Sequence, residues 1–240
     1  MKYKILTTLG MLLLIVGLLL TAFQVAIYGD SDYGFYEREY ETYGVAKILD
    51  MTDSDVMKVT EYMMDYLIGK EEELTVDVMV DGEYQDFFNE QDRLHMADVR
   101  NLFLGGLKLR NISILSSLLI LFFVAVKKLW SDKKIQFKEF FLGHLRALVI
   151  TGIFAIVIAV GCSINFDASF RLFHHIFFTN NLWIFDPTTD YMINMLPEGF
   201  FFDFVVRIAL VFGGFLALFT VVLGALAIFD SKKGSLQEIN

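Results

Sequence analysis

Four stretches of this chain, residues 5–28, 107–126, 145–166 and 200–229, are apolar for long enough to cross a bilayer, which takes about 20 residues of helix. Backbone N–H and C=O groups find no water in hydrocarbon, so each stretch is bound to be helical. The first follows Lys2 and Lys4 as a cleaved leader would. Its length, and the lack of a small-x-small site after it, read instead as a signal anchor. With 55% hydrophobic residues and 25 phenylalanines there is too little polar surface for a soluble domain of 240 residues. The sequence predicts a mainly α membrane protein with four transmembrane helices and an α+β extracellular cap containing a small hairpin.

Basic residues set the orientation. Lys2 and Lys4 precede the first span, Lys127, Lys128, Lys133, Lys134, Lys138 and Arg146 fill or border the link between the second and third, and Lys232 and Lys233 follow the fourth. Four spans put all of them on one side. Residues 30–110 carry 20 acids against 8 bases and would face outward, so both termini are expected in the cytoplasm of a multi-pass cell-membrane protein. The expected division is 1–28 for the cytoplasmic N-terminus and first span, 29–106 for the cap, and 107–126 for the second span. A basic cytoplasmic loop at 127–144, a third span at 145–166, an external loop with interfacial and short helices at 167–199, a fourth span at 200–229 and a cytoplasmic tail at 230–240 complete it. The acidic balance gives no support to nucleic-acid binding. A single cysteine, Cys162, excludes an intrachain disulfide and a cysteine zinc site.

Within the first span Gly10 and Gly17 lie seven apart and can share a packing face, although lipid-facing glycines would read the same. Tyr33, Tyr36, Tyr40 and Tyr43 recur at helical spacing and would line a helix against the bilayer, while glycines 29, 34 and 44 argue equally for an irregular segment. Thr52 with Asp55 starts a helix ending near Gly69. Alternation from Leu74 to Met79, the pair Asp81–Gly82, and residues 83–88 read as a hairpin. Asn89 then caps a helix, with Glu90 and Asp92 in its first turn, that carries His95 and Asp98 at i and i+3. That spacing lets a carboxylate hold an imidazole in one tautomer, or is simply a solvated face. His144 falls in the basic loop, whose roles would be topology and contact with anionic lipid.

The external loop opens with FRLFHHIFF, where Phe170, Phe173, His174 and Phe177 keep i, i+3, i+4, i+7 spacing. One imidazole is thereby set among aromatic rings, either as an interfacial anchor's edge or as a functional group. Asn181 and Trp183 follow. Asp186–Pro187 reads as a helix start running to Leu196, and Asp190 one turn on is exposed or orients a histidine. No phosphate loop, GxSxG or HExxH is present, no ligand spacing indicates a metal, and no cofactor is expected. General acid and base chemistry by His95 and His174, one from each external segment, is what survives.

The stretches NEQDRLHMADVRNLF and FHHIFFTNNLWIFDPTTDYMINMLPEGFF resemble the signature segments of the bacterial lipoprotein intramolecular transacylases called Lit, known from Gram-positive bacteria. The four-span plan, large first external segment and basic loop extend the resemblance over the chain. It implies a diacylglyceryl lipoprotein as substrate and movement of the sn-2 acyl chain to the amino-terminal cysteine's α-amine, giving the lyso-form. It also implies two catalytic histidines, which map to His95 and His174, the aromatic spacing favouring His174 over His175. Asn89, Asp98, Phe170, Phe173, His175, Phe177, Asn181, Trp183, Asp186 and Asp190 are the candidate supporting or substrate-binding groups. A monomer among membrane lipids is expected. Two other readings stand beside this one: a non-enzymatic protein whose acidic cap binds or senses a partner, and a lipid ester hydrolase.

Overall fold

The computed structural model describes residues 2–132 and 136–237; Lys133 and Lys134 of the basic loop lie outside the described residues, as do the side chains of Lys2 and Lys233. Nine helices and one hairpin make up the described chain, in the order α1 (Lys2–Tyr28), α2 (Gly34–Tyr43), α3 (Val45–Ile48), α4 (Asp53–Leu67), β1 (Asp77–Val80), β2 (Glu83–Asp86), α5 (Glu90–Asp132), α6 (Phe137–Ile164), α7 (Phe166–Phe177), α8 (Tyr191–Met195) and α9 (Glu198–Gln237). Four of them, α1, α5, α6 and α9, are long and apolar enough to cross a membrane. The mainly helical class with a small hairpin is therefore as the sequence predicts.

The chain forms two compact units. The first comprises Met1–Gln24, Lys108–Gly161 and Ile208–Asn240. Its core is Met11, Ile15, Val124, Phe140, Ala147 and Leu223. Gly10 and Gly17 both pack on α5: a Cβ on Gly10 would come within 2.8 Å of Leu121, and one on Gly17 within 2.5 Å of Ile114. Outward side chains such as Phe122, Phe154 and Val221 are apolar and exposed, as a lipid-facing surface requires. His144 is not in the loop between spans; it belongs to α6 and is fully buried. Its Nε2 lies 2.8 Å from Thr220 Oγ1. That hydroxyl spends its proton on the Leu216 carbonyl, so Nε2–H is the donor.

The second unit comprises Val25–Leu107 and Cys162–Arg207. Thr52 Oγ1 caps α4 by accepting from Asp55 N. In the hairpin Val80 pairs with Glu83, and Asp81 and Gly82 both take positive φ, 52° and 76°. That is the primed turn whose twist matches the strands. Val78 and Val80 point inward and are buried with Val59, Met63, Phe87, Phe88 and Met195 in the unit's core. Arg93 ties the hairpin to α5, bonding Asp86 Oδ2 at 2.8 Å and the Phe88 carbonyl at 2.7 Å.

Three elements depart from the sequence reading. The tyrosine segment is helical in α2, but Tyr36 and Tyr40 are buried against Phe200, so that face meets protein and not the bilayer. The helix of His95 and the second span are one element, α5, unbroken at Gly105–Gly106. A Cβ at either glycine would meet nothing within 4 Å, so neither marks a close approach or a break. The segment after Asp186 does not begin a helix. Asp186 Oδ1 accepts from Thr188 N and Oγ1, closing a local turn, and α8 starts only after Asp190.

Gly199, at the start of α9, lies under the Tyr43 ring, where a Cβ would collide. Tyr43 in turn donates to Asp203 Oδ2 at 2.6 Å. Gly199→Ala is expected to push the ring off that carboxylate and cost about 1–3 kcal/mol, as overpacking does. Thermal unfolding in micelles, compared with Gly213→Ala, which has open space for its methyl, reads the difference.

Candidate active site

Two ends of the second unit's sequence converge on one aromatic enclosure. α5 opens with Asn89 in a reciprocal cap: Asp92 N donates to Asn89 Oδ1 at 2.9 Å and Asn89 N donates to Asp92 Oδ2 at 3.0 Å. This start fixes the rotation of the helix and presents His95 inward, 6% exposed. α7 is capped by Asn165, which accepts from Ala168 N. Its helical spacing brings His174 inward, 7% exposed, while His175 next to it stays exposed. The two buried imidazoles face each other with ring centroids 6.1 Å apart.

Around them the rings are closely set. His174 stacks on Trp183 at 4.8 Å and 27°, and meets Phe170 at 4.2 Å and Phe173 at 5.5 Å. His95 takes the edges of Phe178 at 5.2 Å and Phe185 at 5.4 Å. His175 meets the rim of Trp183, at 5.1 Å and 88°. Phe177 packs on Phe173 and is half exposed.

The tautomer of His174 follows from its partner. Nδ1 lies 2.7 Å from the Phe170 carbonyl oxygen, which can only accept. Nδ1 therefore carries the proton and Nε2 keeps the lone pair. Burial lowers the affinity of this ring for a second proton; the Phe170 carbonyl works against that and His175 adds to it. His95 Nδ1 has no hydrogen-bond partner among the described residues. His95 lies in the charged part of α5, ahead of the apolar run that begins at residue 107. Burial, helped by His174 and opposed by Asp98, holds it down to about 4, so it is neutral at physiological pH.

The carboxylates take places that spacing alone does not assign. Asp98 does not bond the His95 ring; its Oδ2 accepts from Asn180 Nδ2 at 2.8 Å. Asp190 is buried, and it holds no histidine either. It accepts from Asn89 Nδ2 and from Asp186 N, joining the loop to the start of α5. Asp186 and Asn181 are exposed. Asp92, fully buried, has an Oδ1 without a partner among the described residues, and burial raises its carboxyl to about 6. Periodicity does not single out Asn180, Phe178 and Phe185, because they follow α7 in an irregular segment where spacing carries no signal. Among the described residues no three His, Cys, Asp or Glu side chains converge as a metal site would.

Residues 8–201 match the family model described as lipoprotein intramolecular transacylase Lit. The chain belongs to the Lit family. It is thus an acyltransferase, a lipoprotein intramolecular transacylase. Among solved structures, three of the Lit transacylase of Bacillus cereus, determined in meso, align with 98% of this chain at TM-score 0.70 and 22% identity. The alignments cover 98%, 95% and 96% of those chains, and the second and third carry one histidine changed to arginine and to alanine. These structures share the fold. Among curated proteins none matches. The four apolar helices agree with a membrane-integral Lit protein.

Proposed function

We propose that the chain moves the sn-2 acyl group of a diacylglyceryl-cysteine lipoprotein to that cysteine's α-amine, with His174 as the base. The observation that carries this is the pairing of two buried imidazoles, one with a fixed tautomer, in an aromatic enclosure. The amine's N–H proton passes to His174 Nε2 as the nitrogen attacks the ester carbonyl carbon. The imidazolium so formed is held by the Phe170 carbonyl and the Trp183 face. The C–O bond then breaks, and the glyceryl oxygen leaves with that same proton. His95, neutral, donates a hydrogen bond to the carbonyl oxygen as charge develops on it. Ester to amide conversion runs downhill and calls for no cofactor. Amine and ester share one molecule, so holding them in attack geometry between Phe170, Phe173, Phe177 and Trp183 supplies much of the rate.

Both termini are cytoplasmic on this reading and the second unit faces outward, since the external acids and the flanking lysines follow the charge rule. The enzyme works as a monomer on membrane-bound substrate. Mass spectrometry of a lipoprotein from cells with and without this protein tests the reaction: the acyl chain is expected to move from glycerol to nitrogen at constant mass. Release of free fatty acid in place of that shift would assign a hydrolase.

The lowered proton affinity of His174 has a kinetic sign. A base stays competent above its own pKa, so below the limb set by the substrate's own α-ammonium near pH 8 a second limb, set by His174, is expected beneath pH 6.5, the ordinary imidazole value. A second limb at or above 6.5 in a pH profile of transfer would contradict the assignment.

A further inference from the structure

Resting on the transacylation reading, we propose that Asp98 receives the substrate's α-ammonium group in a cleft beside the two histidines. An α-amine has a pKa near 8, so it arrives mostly protonated, and a cation entering an aromatic enclosure needs a countercharge. Asp98 supplies one. It follows His95 by three residues on α5, which puts the two side chains on the same face about 5–6 Å apart at Cβ. A cleft of about 230 Å³ opens there, lined by Asp98, Asn101, Phe177, Phe178, Thr179 and Asn180. Phe178 is a wall of this cleft and also the ring in contact with both histidines, at 5.2 Å and 5.6 Å. A group held at Asp98 is therefore one ring's width from the reacting pair.

The carboxylate is oriented for the task. Oδ2 takes the Asn180 amide, and among the described residues Oδ1 takes no hydrogen bond. Asn180 is itself fixed: its Oδ1 accepts from Leu182 N at 3.1 Å and its carbonyl from Trp183 Nε1 at 3.0 Å. The same tryptophan stacks on His174. One chain of contacts thus aligns the anchor with the base. The protons balance: the bound ammonium releases one to water through the cleft, and the neutral amine's next goes by His174 to the glyceryl oxygen. The titratable groups about the cleft are His95 on the same helix and His174 on α7, behind Phe178.

Two unreactive ether analogues of the substrate test this as inhibitors of transfer, one with a free amine and one N-acetylated. At pH 7 the free amine is expected to bind the wild-type enzyme about ten- to a hundredfold more tightly, the scale of a hydrogen bond to a charged group. That preference shrinks as the pH passes 8–9 and the amine loses its charge. In Asp98→Asn, whose amide oxygen still accepts from Asn180, the preference collapses towards one and KM rises by the same factor with kcat little changed. Equal inhibition by both analogues in the wild type at pH 7 overturns the proposal, and needs no variant to fold. So does an Asp98→Asn defect in kcat at unchanged KM, or one equal at pH 7 and pH 9. Absence of transfer in the wild type would count against the transacylation reading instead.

Discussion

Replacing His174 with alanine is expected to lower the rate of O-to-N acyl transfer by about 10²–10⁴, the usual contribution of a positioned base. The substitution removes the Nε2 lone pair and leaves the Phe170 carbonyl with its helical partner, so α7 keeps its backbone. Imidazole added to the variant should restore part of the rate by occupying the space between Trp183 and Phe170. His95→Ala removes the neutral donor and is expected to cost about 10²–10³. His175→Ala should stay within a few-fold of wild type, because that ring is exposed and meets the edge of Trp183 alone among the rings about His174. Single-turnover rates with purified lipoprotein decide the matter. An active His174→Ala beside a dead His175→Ala would move the base by one residue and undo the mechanism.

Asp190→Ala is expected to destabilise the second unit by about 1–3 kcal/mol. The buried Asp190 carboxylate accepts two half-buried hydrogen bonds, from Asn89 Nδ2 and from Asp186 N, and hydrogen bonds to a charged group contribute on that scale. The loss is local in origin and wide in effect. Gln91 donates to the carbonyls of Leu182 and Ile184, so the loop that carries Trp183 and Phe185 is tied to α5 by Gln91, by Asp190 and by Asn180. Hydrogen exchange should show residues 182–190 opening, with the melting temperature in micelles falling. A variant that melts with the wild type and protects the same amides would show that Asp190 does not join the loop to the helix.

Much of this could be read from the chain because membranes simplify the rules. Apolar length alone marks four helices, and Asp81–Gly82 between alternating residues fixes a hairpin turn by backbone sterics. Thr52 and Asn89 announce helix starts through bonds made within three residues. Inward placement of His174 follows from the same local periodicity that sets Phe170 and Phe173 beside it. Where partners lie far apart in sequence, the reading fails. Asp98 is three residues from His95 yet bonds Asn180, 82 positions away. Asp186 next to a proline is a strong helix signal, but two hydrogen bonds from Thr188 divert it into a turn. A division between cap and second span at residue 106 does not show that the surrounding helix formers carry α5 through it unbroken.

In His174 the ring nitrogen that keeps its lone pair and the carbonyl that orients the ring belong to the same turn of the same helix. Where base and orienter come from different segments, any displacement between those segments detunes the base. On the proposed mechanism, any shift of α7 would carry the base along already aimed, with the Nδ1 bond intact. Entry of a bulky lipid and readiness for proton transfer would then be separated mechanically.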